Sequence, residues 1–128
     1  MKSKKYKEIF KLKKMLEDAN IPFDWIEGWG YGEEETKHLK EVAPDLMERY
    51  QICYPKGSFH GDTKRWISVI EGFGTYGSDC DRLEIMGGFT PWEKYDQKLD
   101  EICVMGYLTA RNVFGRIKKN WEERKNER

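Results

Sequence analysis

The run Arg65-Trp66-Ile67-Ser68-Val69-Ile70-Glu71 leads straight into Gly72-Phe73-Gly74-Thr75-Tyr76-Gly77-Ser78-Asp79. Glycine lets a backbone approach a ligand closely, and aromatic faces accept flat groups. Loop amides around Gly72, Gly74 and Gly77 would suit a phosphate, and Phe73, Tyr76 or Trp29 would stack on a base. Arg65, Lys64 or Arg82 would supply positive charge. The spacing Gly72-x-Gly74-x-x-Gly77 follows a strand-like run but lacks the lysine of a phosphate-binding P-loop. It marks a recognition loop on a rigid strand, not one defined reaction. Gly28-Trp29-Gly30-Tyr31-Gly32 is a second ring-rich loop. The ligand-binding set is therefore Trp29, Tyr31, Arg65, Phe73, Gly74, Thr75, Tyr76, Gly77, Ser78, Asp79 and Arg82.

Glu71, Asp79, Asp81 and Glu84 offer a different chemistry, because two or three carboxylates can hold magnesium for phosphodiester cleavage. Such sites usually add a lysine beside the strand acid, and Gly72 and Phe73 stand there instead. Asp81 reads equally as a helix cap, and Glu84 as a solvated residue. His38 and His60 have no second ligand at metal spacing and read as surface residues, and nothing supports pairing either with Cys53 as a nucleophile. No catalytic residue, metal site or cofactor is assigned. A metal-dependent nuclease or phosphodiesterase using Glu71, Asp79 and Asp81 remains an alternative, as does a structural or regulatory oligomer without a small ligand.

These groups sit on a chain of 128 residues, enough for one domain with a real core. Charged residues make up 36% and aromatic residues 14%, so a polar surface surrounds a ring-rich interior. Net charge is zero but uneven: residues 1–14 carry seven lysines against one glutamate, and residues 116–128 six cations against three acids. An acidic body with basic ends argues against a general nucleic-acid binder. No apolar run approaches a membrane span, and three cysteines without C-x-x-C spacing fit a reducing, cytoplasmic setting.

A helix is expected over Lys4–Ala19, with Ile9, Leu12, Met15, Leu16 and Ala19 on one stripe and Asn20 closing it. Tyr6 and Phe10 lie off that stripe. With the loop rings Trp29, Tyr31, Phe59, Phe73 and Tyr76 they predict a homo-oligomer. Strands are expected at 22–27, 49–54 and 64–71. A helix at 33–43 lies within an insertion or lid at 28–48, and residues 56–64 form a hairpin loop. Residues 81–86 fit a strand or one helical turn, Thr90-Pro91-Trp92-Glu93 a short helix start, and 102–107 an extended segment. Thr109 caps a last helix with the stripe Ala110, Val113, Phe114, Ile117 and Trp121, and residues 122–128 form a frayed tail. The order predicts a single α+β domain over 1–128: an antiparallel sheet of three or more strands packed by N- and C-terminal helices, with a helical insertion.

Several segments together resemble a group of small, uncharacterised phage and prophage proteins of Gram-positive bacteria. They are Leu16-Glu17-Asp18-Ala19-Asn20-Ile21-Pro22-Phe23, Tyr50-Gln51-Ile52-Cys53-Tyr54-Pro55, Ser68-Val69-Ile70-Glu71, Tyr76-Gly77-Ser78, Leu83-Glu84-Ile85-Met86-Gly87 and Gly106-Tyr107-Leu108-Thr109-Ala110. The likeness spans most of the chain except 28–48 and brings no catalytic motif. By genomic analogy it implies an anti-defence factor in the host cytoplasm, one that sequesters a nucleotide-like immune signal or a host protein. The helix–strands–helix order is also similar to double-stranded RNA-binding domains. Thr109-Ala110-Arg111-Asn112, however, lacks the lysine cluster with which their last helix grips phosphate.

Overall fold

A computed structural model describes residues 5–28, 33–43, 48–57, 67–87 and 104–126. Helix α1 spans Glu8–Asp18, strand β1 Asp24–Glu27, helix α2 Glu33–Val42, and strands β2 and β3 Arg49–Tyr54 and Ile67–Gly72. One 3-10 turn at Ser78–Cys80 precedes β4, Leu83–Gly87, and β5, Val104–Leu108, leads into helix α3, Ala110–Asn126. The strands form one antiparallel sheet in sequential order β1-β2-β3-β4-β5, with α1 and α3 packed on each other and α1 on β2 and β3. This is the α+β layer architecture expected, and of residues 81–86, expected as a strand or a helical turn, 83–86 are strand while Asp81 and Arg82 belong to the preceding loop. Helix α3 continues to Asn126, across most of the segment expected to fray. The helix start at Thr90 and the hairpin tip at 58–64 lie outside the described residues.

Alternation along each strand sets the core. Ile52 pairs with Val69 and Tyr54 with Ile67, and Val69 pairs with Ile85, so these residues share one face of the sheet. Against them lie Ile9, Leu12 and Leu16 of α1 and Ala110, Val113 and Ile117 of α3. Asn20 takes the left-handed conformation at φ 57°, and the Ile21 amide reaches back to the Leu16 carbonyl at 3.0 Å, which ends α1. Thr109 Oγ1 accepts from the Asn112 amide at 3.2 Å and so caps α3. Asn120 is a buried polar residue within the apolar stripe of α3. Its Oδ1 accepts from the Tyr54 hydroxyl at 2.9 Å, tying the last helix to β2.

Tyr6 and Phe10 do not wait for a partner chain. Tyr6 is buried within the core, and Phe10 sits edge-on to Tyr50 at 4.7 Å and beside Trp25 at 5.3 Å. The reason is geometric: β1 extends the sheet past the apolar stripe of α1, and its edge covers the flank carrying Phe10. The two rings therefore give no support to the homo-oligomer expected from them. Among the described residues, no helix is long and apolar enough to cross a membrane. Phe10→Ala should lower unfolding stability by about 2–3 kcal/mol in a urea titration, by removal of a half-buried ring. It should leave the mass by light scattering unchanged; a change of mass with unchanged stability would place Phe10 at a subunit interface instead.

Candidate functional site

Loop 73–82 joins β3 to β4, and hydrogen bonds fix its shape. The Thr75 hydroxyl donates to the Gly72 carbonyl at 2.8 Å and accepts from the Gly72 amide at 3.2 Å. The amides of Thr75, Ser78, Cys80, Asp81 and Arg82 all donate to carbonyls of Gly72, Thr75, Gly77 or Ser78. The Tyr76 amide donates to Glu84 Oε1 at 2.9 Å. Glu84 is buried by that role, which corrects its reading as a solvated residue. Seven amides in and beside the expected phosphate cradle are thus already engaged. Arg82 Nη1 likewise donates to the Asp81 carbonyl at 2.9 Å.

The loop turns its rings outward. Phe73 is 54% exposed and Tyr76 60%, and Tyr107 on β5 is 61% exposed. The Tyr107 amide donates to the Tyr76 carbonyl at 3.3 Å, so the two tyrosines stand on paired backbones. Tyr107 was not among the expected site residues. Between Leu83 and Ile85 the register of β5 slips by one residue, a bulge that leaves Tyr107 left-handed at φ 60°. An aromatic residue held there costs about 1–3 kcal/mol, and such strain clusters at functional positions. The close approach depends on two glycines. A Cβ on Gly106 would come within 2.3 Å of the Tyr76 Cβ, and one on Gly77, at φ 101°, within 3.0 Å of the Tyr107 backbone. Of the expected set, Phe73 and Tyr76 offer contact, Gly74 and Asp79 are exposed, Ser78 is half-buried, and Thr75 and Gly77 are buried scaffold. Trp29, Tyr31 and Arg65 lie outside the described residues, as does His60.

The acids expected at a metal site do other work. Glu71 is fully buried on the core face of β3, in line with Ile67 and Val69. Its Oε1 accepts from the Ile9 amide at 3.1 Å, while Asp81 Oδ1 accepts from the Lys7 and Glu8 amides at 2.8 and 3.1 Å. Together the two carboxyls cap α1 from residues more than sixty positions away. Glu8 in turn accepts from the Ala110 amide at 3.2 Å, so the two helices start from a common point. Burial, then the bond to Asp81 and its negative charge, push the Glu71 carboxyl up to about 9, whereas its partners hold Asp81 below the usual carboxylate range. Glu71 Oε2 meets no hydrogen-bond donor; a protonated Glu71 becomes the donor itself, with the Asp81 carboxylate beside it as acceptor. A neutral acid buried against a helix end is a poor magnesium ligand. Asp79 stands apart, exposed on the 3-10 turn, and no group of three metal-ligating side chains occurs among the described residues. Cys53 is buried on the other sheet face and its thiol is pushed up to about 11, chiefly by burial, so it is protonated at neutral pH.

No protein-family model matches the chain, no curated protein matches it, and no solved structure matches it.

Because Glu71 is held protonated in the fold and ionises near 4.5 when unfolded, its contribution is complete only below pH 4.5 and is lost progressively as pH rises from there towards 9. Asp81 acts oppositely, losing its contribution as pH falls through the acid range. Urea midpoints of the wild type should therefore decline from pH 5.5 to 8.5. Glu71→Gln, which keeps an acceptor for Ile9 and a donor for Asp81, should flatten that decline and be the more stable protein at pH 8.5. Parallel declines in the two proteins would show that Glu71 is ionised in the fold.

Proposed function

We propose that the chain is a non-enzymatic binding protein that engages a protein partner through Phe73, Tyr76 and Tyr107. The observation that carries this is three exposed rings on a backbone fixed by Thr75, Glu84 and the strained Tyr107. Rings displayed on a rigid frame lose little entropy on binding and are typical anchors of protein interfaces. A nucleotide-like ligand is the less favoured occupant. Most of the loop amides are engaged within the loop or by Glu84, and among the described residues Asp79, Asp81 and Glu84 outnumber Arg82 around it. The setting of a phage anti-defence factor acting in the host cytoplasm rests on the sequence resemblance alone. The nuclease alternative loses support from the capping roles of Glu71 and Asp81.

Placing a photo-crosslinking amino acid at position 76 or 107, and at exposed Glu17 as control, tests the reading in a Gram-positive host. The same partner band should appear from 76 and 107 and not from 17. In parallel, calorimetry with cyclic and linear nucleotides should show no binding. Nucleotide binding that Tyr76→Ala weakens about 5- to 150-fold, the stacking worth of one ring, would overturn the protein-partner reading in favour of a nucleotide.

A further inference from the structure

The basic ends of the chain, far apart in sequence, pack together as one layer. Residues 5–16 and 110–121 carry nine cations and a single acid, Glu8, which is turned to the Ala110 amide. These two stretches therefore hold a net +8 and the remainder of the chain −8. Lys7, Lys11 and Lys14 recur at spacings of four and three on α1, opposite the buried Ile9, Leu12 and Leu16, and all three are exposed. On α3, Arg111, Lys118 and Lys119 are exposed while Ala110, Val113 and Ile117 are buried. Of these six cations, Lys14 alone has an ion-pair partner among the described residues, Asp18 at 3.7 Å. Exposed Glu17, Asp18, Glu122 and Glu123 bound the patch at the far ends.

We infer that this helical layer binds the sugar–phosphate backbone of duplex nucleic acid without regard to sequence. At about 1.5 Å of rise per residue, Lys7 to Lys14 and Arg111 to Lys119 each span about 10–12 Å. Packed helices lie about 8–10 Å apart. Duplex DNA carries one charge per about 1.7 Å of axis over its two strands, so a footprint of that length faces several phosphates on the near side of the duplex, within reach of the six cations. The cations are spread over an exposed surface, which suits a polymer better than a single phosphate. A membrane surface is a poor fit, because the apolar stripes that would enter lipid are buried against the sheet. The two basic stretches are separate in composition and sequence, and the contact of α1 with α3 joins them. The inference does not depend on the aromatic face.

Fluorescence anisotropy with labelled mixed-sequence DNA and RNA duplexes of 24 base pairs tests it. In 50 mM salt the wild type should bind in the micromolar range, with affinity falling about four to six powers for each power of salt. The triple variants Lys7→Ala/Lys11→Ala/Lys14→Ala and Arg111→Ala/Lys118→Ala/Lys119→Ala should each bind at least tenfold more weakly and lower the salt slope by about three. Lys37→Ala/Lys40→Ala, on the exposed side of α2, should bind as the wild type, and thermal melts should show all variants folded. Absence of binding to both duplexes would overturn the inference, as would equal loss in the α2 variant. So would a salt-sensitive doubling of mass that the α1 triple variant abolishes without any binding of either duplex, since the layer would then meet the acidic side of a second copy.

Discussion

The carboxyl of Glu71 is the point on which the two layers of the molecule meet. It projects from the strand at the centre of the sheet into the core and meets the first turn of α1. An ionised carboxylate there would cost several kcal/mol in lost solvation, while a helix N-terminus returns about 2 kcal/mol at most. Burial wins, so the group keeps its proton and leaves the negative charge to the more exposed Asp81. This division lets one carboxyl act inside the core and the other at its margin, and both hold the same helix end. Glu8 extends the arrangement to α3, so the helical layer is positioned on the sheet by three side chains.

Much of the architecture was legible because its signals are local. The stripe of α1, the Asn20 closure, the alternation of Tyr50, Ile52 and Tyr54, and the Thr109 cap each follow from residues within a few positions of one another. The misread residues are those whose partners are distant. Glu84 meets an amide eight residues back; Asp81 is the helix cap expected, but of a helix seventy-odd residues upstream that no local signal identifies. Glu71 did carry a usable signal. Alternation from Ile67 through Val69 places it on the core face, and a buried acid on a central strand already asks for a structural partner. Tyr107 carried none, since its exposure comes from a bulge set by pairing with β4.

The surface divides in a way that zero net charge conceals. Positive charge gathers on the two helices, while the ring-bearing loop is flanked by acids. The fold makes this possible because α1 and α3 form the helical layer and the loop belongs to the sheet. Under the two proposals above, these faces of opposite chemistry would take two different partners.

The distances along the chain between capping partners have a bearing on synthesis. Helix α1 is made first, yet its amides find their acceptors on residues 62 to 74 positions later, and its Glu8 contacts a residue 102 positions later. The strand meander can pair neighbour by neighbour as it leaves the ribosome, but the layer that covers it needs both ends of the fold at once. Until the last helix is released, Ile9, Leu12, Leu16 and the core face of the sheet lack part of their cover. The nascent chain therefore relies on its lysines and acids to stay dispersed over that interval, and a break anywhere before α3 would leave an apolar sheet face open to aggregation.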